Sequence, residues 1–333
     1  MSCDDVTVAV LGGWQDLFVG VSERPAAKKL PVGTMLGRYV IAGAIGSGGM
    51  GTVYAAYDPE LDRKVALKLI RKDVADDVDA RARLVREANA LARLSHPNVV
   101  VIYDARVHRG ELVLAMELVE GITLSRWLAD APRSWRTIVE VFVLAGRGLA
   151  AAHAAEIVHR DFKPSNVIVD GDAHGIPRVR VLDFGLAQPA APSSGSDRGA
   201  AAPSHEWNVD DRVTRPGFAV GTPRYMSPEQ RLGQHVDARS DQYSFCVALW
   251  EALHGALPHG HLHDTLDEVH RSEPDVGKPT APMKVPRRVR AALERGMAGD
   301  PDRRFPTMGP LLELLERERS GGRSRAIVAA IAL

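Results

Sequence analysis

The chain has 333 residues, 45% hydrophobic and 25% charged, with 42 Lys and Arg balanced by 42 Asp and Glu. That length suits one large domain or two lobes sharing a cleft, and a net charge of zero excludes a global field that would gather nucleic acid or an acidic membrane surface. Two cysteines, Cys3 and Cys246, give neither a disulfide framework nor a metal-ligand spacing, which fits a reducing cytoplasm.

In chain order, residues 1–33 form an N-terminal extension. Asp4 and Asp5 stand where a secretory leader carries cations, and "VTVAVLGGW" is short and broken by glycine. Then come β-rich runs: "RYVIAGAIG" (38–46), "GTVYAAYD" (51–58), "KVALKLI" (64–70), "NVVVIYDARV" (98–107) and "ELVLAMELV" (111–119). One helical pattern, about 77–94, interrupts them. After Gly121 the patterns are mostly helical, at 134–156, 238–255, 286–297 and 307–318. Strands followed by helices predict an α+β chain with two lobes. Residues 187–220 are rich in Ala, Pro, Ser and Gly, a functional or disordered loop. The end is basic over 317–325 and apolar over 326–333. Eight residues cannot cross a bilayer, which takes roughly 20. The segment suits equally a helical tail or the cytoplasmic flank of a longer spanning helix.

"IGSGGMGTV", residues 45–53, spaces Gly46, Gly48 and Gly51 as in G-x-G-x-x-G. Such glycines let backbone N–H groups approach phosphates, although alone the pattern is more often a tight turn. A dinucleotide fingerprint needs a helix after the last glycine, whereas "TVYAAY" alternates as a strand. A Walker loop needs Gly-Lys-Ser/Thr, which is missing. A glycine-rich hairpin remains. Lys68 closes the apolar run "VALK", and Glu87 lies on the packing face of "RLVREANALARL" beside Leu84, Ala88, Leu91 and Leu94. Either charge is costly when buried alone, so a Lys68–Glu87 ion pair is expected.

"HRDFKPSN" (159–166) places Asp161, Lys163 and Asn166 between a buried helix and a buried strand. Phosphoryl transfer asks for a proton acceptor, a cation at the transferring group and oxygen ligands for a divalent ion. Asp161, Lys163 and Asn166 supply one each. Asp183 of "VLDFG" (181–185) follows a second strand and adds a hard oxygen ligand suited to Mg²⁺.

Together, in this order, these motifs resemble the bacterial eukaryotic-like Ser/Thr protein kinases over about residues 38–318. The resemblance implies a bilobal fold, with a small β-rich N-lobe carrying one helix (about 34–118), a larger mainly helical C-lobe (about 119–318) and a tail from 319 to 333. It implies ATP with Mg²⁺, or Mn²⁺, as cofactors. Ile45, Gly46, Ser47, Gly48, Gly49, Met50, Gly51, Thr52 and Val53 would cover the nucleotide, Lys68 would contact its α- and β-phosphates, and Glu87 would hold Lys68. Asp161 would be the catalytic base, Lys163 the γ-phosphate cation, and Asn166 and Asp183 the metal ligands. "AMELVEG" (115–121) is similar to the hinge, with Met116 as gatekeeper or core residue and the Glu117 and Val119 backbones facing adenine. "GTPRYMSPE" (221–229) is similar to the substrate-facing end of an activation segment. There Thr222 would position the acceptor hydroxyl, Glu229 would pair with Arg304, and Asp241 would brace the catalytic loop.

The resemblance further implies protein substrates, autophosphorylation and a loop phosphate paired with Arg160. Thr214 is the first candidate acceptor, ahead of Ser193, Ser194 and Ser196. The expected compartment is cytoplasmic, with membrane contact only through 326–333. Two departures stand out: Cys246 sits where the family often has glycine, and "SPE" replaces Ala-Pro-Glu. A nucleotide-binding pseudokinase is the alternative class, but Lys68, Glu87, Asp161, Asn166 and Asp183 are all present. Small-molecule phosphotransferases share parts of the fold, and "GTPRYMSPE" favours a protein acceptor over theirs.

Overall fold

The computed structural model of the chain describes residues 30–48, 51–70, 78–108, 111–170, 177–184, 223–258 and 283–331. The first half is a six-stranded antiparallel sheet in the order β1-β2-β3-β4-β6-β5. Its strands are β1 Met35–Leu36, β2 Tyr39–Gly48, β3 Gly51–Asp58, β4 Arg63–Ile70, β5 Ile102–His108 and β6 Glu111–Glu117. β4 is central, and both of its faces are covered. Val65 and Leu67 pack with Tyr39, Ile41, Tyr54, Val113 and Ala115. Ala66 and Ile70 point the other way, into the cluster that includes Ala88 and Leu91 of helix α1, Val78–Ala92. The period of two puts Lys68 on this second face, toward the helical half.

β2 and β3 form the glycine hairpin, with Gly48 opposite Gly51. Gly51 has φ +156°, and a Cβ there would lie 1.9 Å from the Leu69 carbonyl oxygen, so no other residue fits. Met50 and Gly49 lie outside the described residues.

The second half is mainly helical: α2 Leu124–Asp130, α3 Trp135–Ala154, α4 Pro228–Arg231, α5 Ala238–His254, α6 Arg287–Gly296 and α7 Met308–Ile331. A small sheet, β7 Ile122–Thr123, β8 Val167–Asp170 and β9 Arg178–Val181, carries the catalytic segment. α3 and α5 are buried on most sides. Asp237 caps the start of α5 by accepting from Arg239 N–H, and Gly255 ends it at φ +69°. α3 is also the one helix among the described residues long and apolar enough to cross a membrane, and most of it is core.

Two elements differ from the sequence pattern. The run at 98–107 begins as a strand only at Ile102. Residues 98–101 instead tie the two halves together: Val100 N–H donates to Val181 O at 3.0 Å, Val181 N–H to Asn98 O at 2.9 Å, and Asn98 Nδ2 to Val179 O at 3.0 Å. Gly148 of α3 permits this approach, since a Cβ there would lie 2.5 Å from Asn98 O. An apolar run is equally suited to a strand or to a buried inter-sheet segment, and periodicity does not separate them. The last helix extends through the Gly321–Gly322 pair to Ile331, well past the expected 318.

Candidate active site

The loop from His159 to Asn166 is held from behind by one carboxylate. Asp241, buried on α5, accepts the backbone N–H groups of His159 and Arg160 at 2.7 Å each, and His153 Nε2 of α3 lies 2.7 Å from it. Burial pushes the Asp241 carboxyl up, but His153 and the His159 N–H outweigh it and hold the group below the ordinary carboxylate range. Arg160 adopts φ +63°, a left-handed turn that these hydrogen bonds stabilise. His159 is fully buried. Its Nδ1 accepts the Asp161 N–H at 3.2 Å, so Nε2 carries the proton and donates to Leu182 O at 2.8 Å. That bond links the catalytic loop to the strand end bearing Asp183, and the Phe184 ring packs 4.6 Å from the imidazole.

On this frame, Lys163 Nζ lies 3.3 Å from Asp161 Oδ2. Asn166 Nδ2 donates to Asp161 O at 2.9 Å and to its Oδ2 at 3.2 Å. The Leu182 N–H donates to Asn166 O at 2.8 Å, so Asn166 and Asp183 sit side by side. Asp183, at φ +52°, pairs with Lys68 Nζ at 2.8 Å. Burial raises the Asp183 carboxyl, but Lys68, with help from Lys163, holds it below its usual value. Lys163 therefore acts on both carboxylates.

The donor set fits a divalent cation. Asn166 uses its amide N–H groups on Asp161, which leaves Oδ1 without a protein partner among the described residues, and Asp183 uses Oδ1 on Lys68, which leaves Oδ2. Two hard oxygens on neighbouring residues are the kind of donor a divalent cation accepts.

The expected Lys68–Glu87 ion pair is not made. Lys68 holds Asp183, and Glu87 on α1 lies 3.6 Å from Arg160 Nη1. Arg160 is accordingly not the bare cation its sequence position suggested. Helical spacing sets which face of α1 carries Glu87, but both Lys68 and Arg160 border that face, and placement of the helix selects between them.

At the hinge, Met116 is buried in the core. The Glu117 N–H is taken by Val101 O at 2.9 Å, so only its carbonyl is left to face a base. Among the described residues no hydrogen bond engages the Val119 backbone. The Glu117 side chain accepts from Arg180 Nε of β9 at 3.4 Å, which clips the hinge to the second half. Ile45, Gly46, Ser47, Gly48, Gly51, Thr52 and Val53 lie on the β2–β3 hairpin as expected. Gly185, Thr214, Thr222, Ser193, Ser194 and Ser196 lie outside the described residues.

The segment after Thr222 is bolted down. Glu229 receives Arg304 through Nη1 and Nη2 at 2.8 Å each, plus Ser240 Oγ at 2.6 Å. Burial opposes ionisation of Glu229, yet these donors hold its pKa at about 2. Ser227 and Gln230 form a capping box at the start of α4, and Gln230 Nε2 reaches back to Arg160 O at 2.7 Å. Three contributors escaped the sequence reading: His153, Gln230, and the buried Glu251 of α5, which accepts from Tyr225 Oη at 2.7 Å and from Arg224. A single acid in the apolar run "FCVALWEALHG" was the available signal, because a buried carboxylate requires a partner.

Comparison with known proteins matches residues 39–308 to the protein kinase domain family. The chain is 32% identical over 311 residues to the serine/threonine-protein kinase PknJ of Mycobacterium tuberculosis, covering 89% of this chain and 48% of that protein. It is 37% identical over 227 residues to the serine/threonine-protein kinase pkn3 of Myxococcus xanthus, covering 68% of this chain and 39% of that protein. The chain thus spans half or less of these relatives' lengths. Among solved structures, the kinase domain of Mycobacterium tuberculosis PknI superposes with a TM-score of 0.64 at 25% identity, covering 87% of this chain and 100% of that one.

Proposed function

This chain belongs to the protein kinase family, and we propose that it transfers the γ-phosphoryl group of ATP to serine and threonine hydroxyls of proteins, itself included. The observation that carries the reading is the convergence of Asp161, Lys163, Asn166, Asp183 and Lys68 in one linked cluster, from three separate stretches of chain. Asp161 is oriented by Asn166 and accepts the proton of the acceptor hydroxyl. Lys163 counters charge on the transferring group, and Lys68 grips the α- and β-phosphates. Asn166 and Asp183 would hold Mg²⁺, with Mn²⁺ as the alternative ion, and that ion would neutralise phosphate charge. The hairpin Ile45–Val53 covers the phosphates, while the Glu117 carbonyl and the Val119 backbone face adenine.

Regulation follows from Glu87 and Arg160. A phosphate on the loop before Gly221, with Thr214 the first candidate, competes for Arg160 and releases Glu87 to Lys68. The two cysteines suit a reducing cytoplasm, and the apolar run 326–333 offers a membrane contact.

The test is transfer of radiolabel from ATP with Mg²⁺ to a mixed protein acceptor, comparing wild type with Asp161→Asn and Lys68→Met. Loss of a positioned base and of a phosphate cation is expected to cost roughly 10²–10⁴ in rate. Equal labelling by all three proteins overturns the assignment.

A further inference from the structure

Two arginines hold buried glutamates at the segment that follows Thr222, and they are used differently. Arg304 is fully buried and spends its donors inside: two on Glu229, one each on Ala298 O and Arg239 O, and a longer one on Gly299 O. It is a structural bolt. Among the described residues Arg224 pairs with Glu251 through Nη2 alone and its buried Nε has no hydrogen-bond partner, while a third of its side chain remains exposed. The Glu251 side chain beneath it is only 4% exposed, with one oxygen taken by Arg224 and the other by Tyr225 Oη. The surface therefore presents a guanidinium whose Nη1 is not engaged among the described residues, over a buried carboxylate that already has a donor on each oxygen.

Place gives this asymmetry its meaning. Tyr225 O is fixed to α5 by Ser244 Oγ at 2.8 Å, and Gln230 is tied to the carbonyl of Arg160, the residue before Asp161. Arg224 thus lies on a rigid shelf joined to the catalytic loop, on the side where an acceptor peptide must dock.

We propose that Arg224 is a specificity-determining residue that selects acceptor peptides with an acidic side chain close to the phosphorylated hydroxyl and disfavours basic ones. This rests on the protein-kinase reading above. A substrate carboxylate pairs with the Nη1 side of the guanidinium. A substrate lysine or arginine meets like charge and finds Glu251 already neutralised.

The experiment uses the full chain and pairs of threonine peptides that differ only by Asp or Arg at one flanking position, scanned across both sides of the acceptor. Wild type is expected to favour Asp on the order of tenfold in kcat/KM at one or more positions, the combined size of one partly solvated attraction and one repulsion. The preference should shrink with added salt. Arg224→Ala is expected to bring the pair within about twofold, and Arg224→Glu to reverse it. Should those variants fold poorly, Arg224→Lys retains charge without the fork and is expected to keep the sign at reduced size. Equal or base-preferring transfer by wild type overturns the proposal, as does a full acidic preference in Arg224→Ala. Wild-type autophosphorylation without charge selection isolates that failure here. Absence of all transfer, to itself and to every peptide, fails the kinase reading instead and takes this inference with it.

Discussion

Glu87 stands 3.6 Å from Arg160, while Lys68 is paired with Asp183 at 2.8 Å. Two cations and two carboxylates are thus matched in a pattern that ties one oxygen of Asp183 to Lys68 and leaves Glu87 on Arg160. The proposed phosphoryl transfer asks for the other matching, with Glu87 on Lys68.

The first prediction concerns that exchange. Protein preincubated with ATP and protein treated with phosphatase should differ in initial rate by about tenfold or more, since phosphate on the loop pulls Arg160 away from Glu87. In Glu87→Gln the two preparations should have the same, low rate, because neither matching can then be completed. A Glu87→Gln protein that still responds to phosphorylation would break the link between the two residues.

Glu229 and Arg304 set the stability of the segment around α4. Arg304→Ala leaves a buried carboxylate without its fork and should cost about 3–5 kcal/mol in urea unfolding. The pH dependence has a definite sign. The folded pKa of Glu229 is depressed from 4.5 to about 2, so its contribution is complete above pH 4.5 and is lost as pH falls from there toward 2. The amount is on the order of 3 kcal/mol. Wild type should lose that increment over this range, and Glu229→Gln, already weakened at neutral pH, should lose much less.

These residues also show what a sequence displays of a site. Asp161, Lys163 and Asn166 are legible because they share one eight-residue turn, and local hydrogen bonds to Asn166 fix their relation. The strands of the first half are legible because an antiparallel hairpin sheet maps alternation directly onto its faces. The partner of Glu87 was not legible, because helical periodicity fixes a face and not the position of the helix. Glu251 and His153 were overlooked inside apolar helices, where their partners come from residues distant in the chain. The length of α7 was misjudged at Gly321 and Gly322. Glycine costs a helix about 1 kcal/mol each, which predicts a stop there, yet the helix runs on through both.

Cys246, the departure from the usual glycine, is accommodated by its neighbour. A Cβ on Gly296 of α6 would lie 2.3 Å from Cys246 Sγ, so α6 supplies the small residue at this contact. Gly296→Ala should destabilise by about 1–3 kcal/mol through overpacking. Adding Cys246→Gly should recover a kcal/mol or so of that, read as a non-additive double-mutant cycle in urea unfolding. Strict additivity would mean that the two helices do not share this space. Burial also raises the Cys246 thiol well above its ordinary pKa, so it should resist alkylation in the native state at neutral pH.

Asp241 offers the sharpest separation of positioning from binding. It touches no atom of Asp161, Lys163 or the hinge among its hydrogen bonds, and acts through the His159 and Arg160 N–H groups and His153. Asp241→Asn keeps the volume but removes the charge and turns an NH₂ toward groups that donate. The catalytic loop should then lose its left-handed turn at Arg160, and Asp161 should lose its aim. With the hinge and the hairpin untouched, KM for ATP should stay within about threefold while kcat falls on the order of 100-fold, because the loss is felt in the orientation of the reacting groups. A variant with normal kcat, or one whose whole defect lies in KM for ATP, would show that Asp241 supports the fold and not the alignment of Asp161.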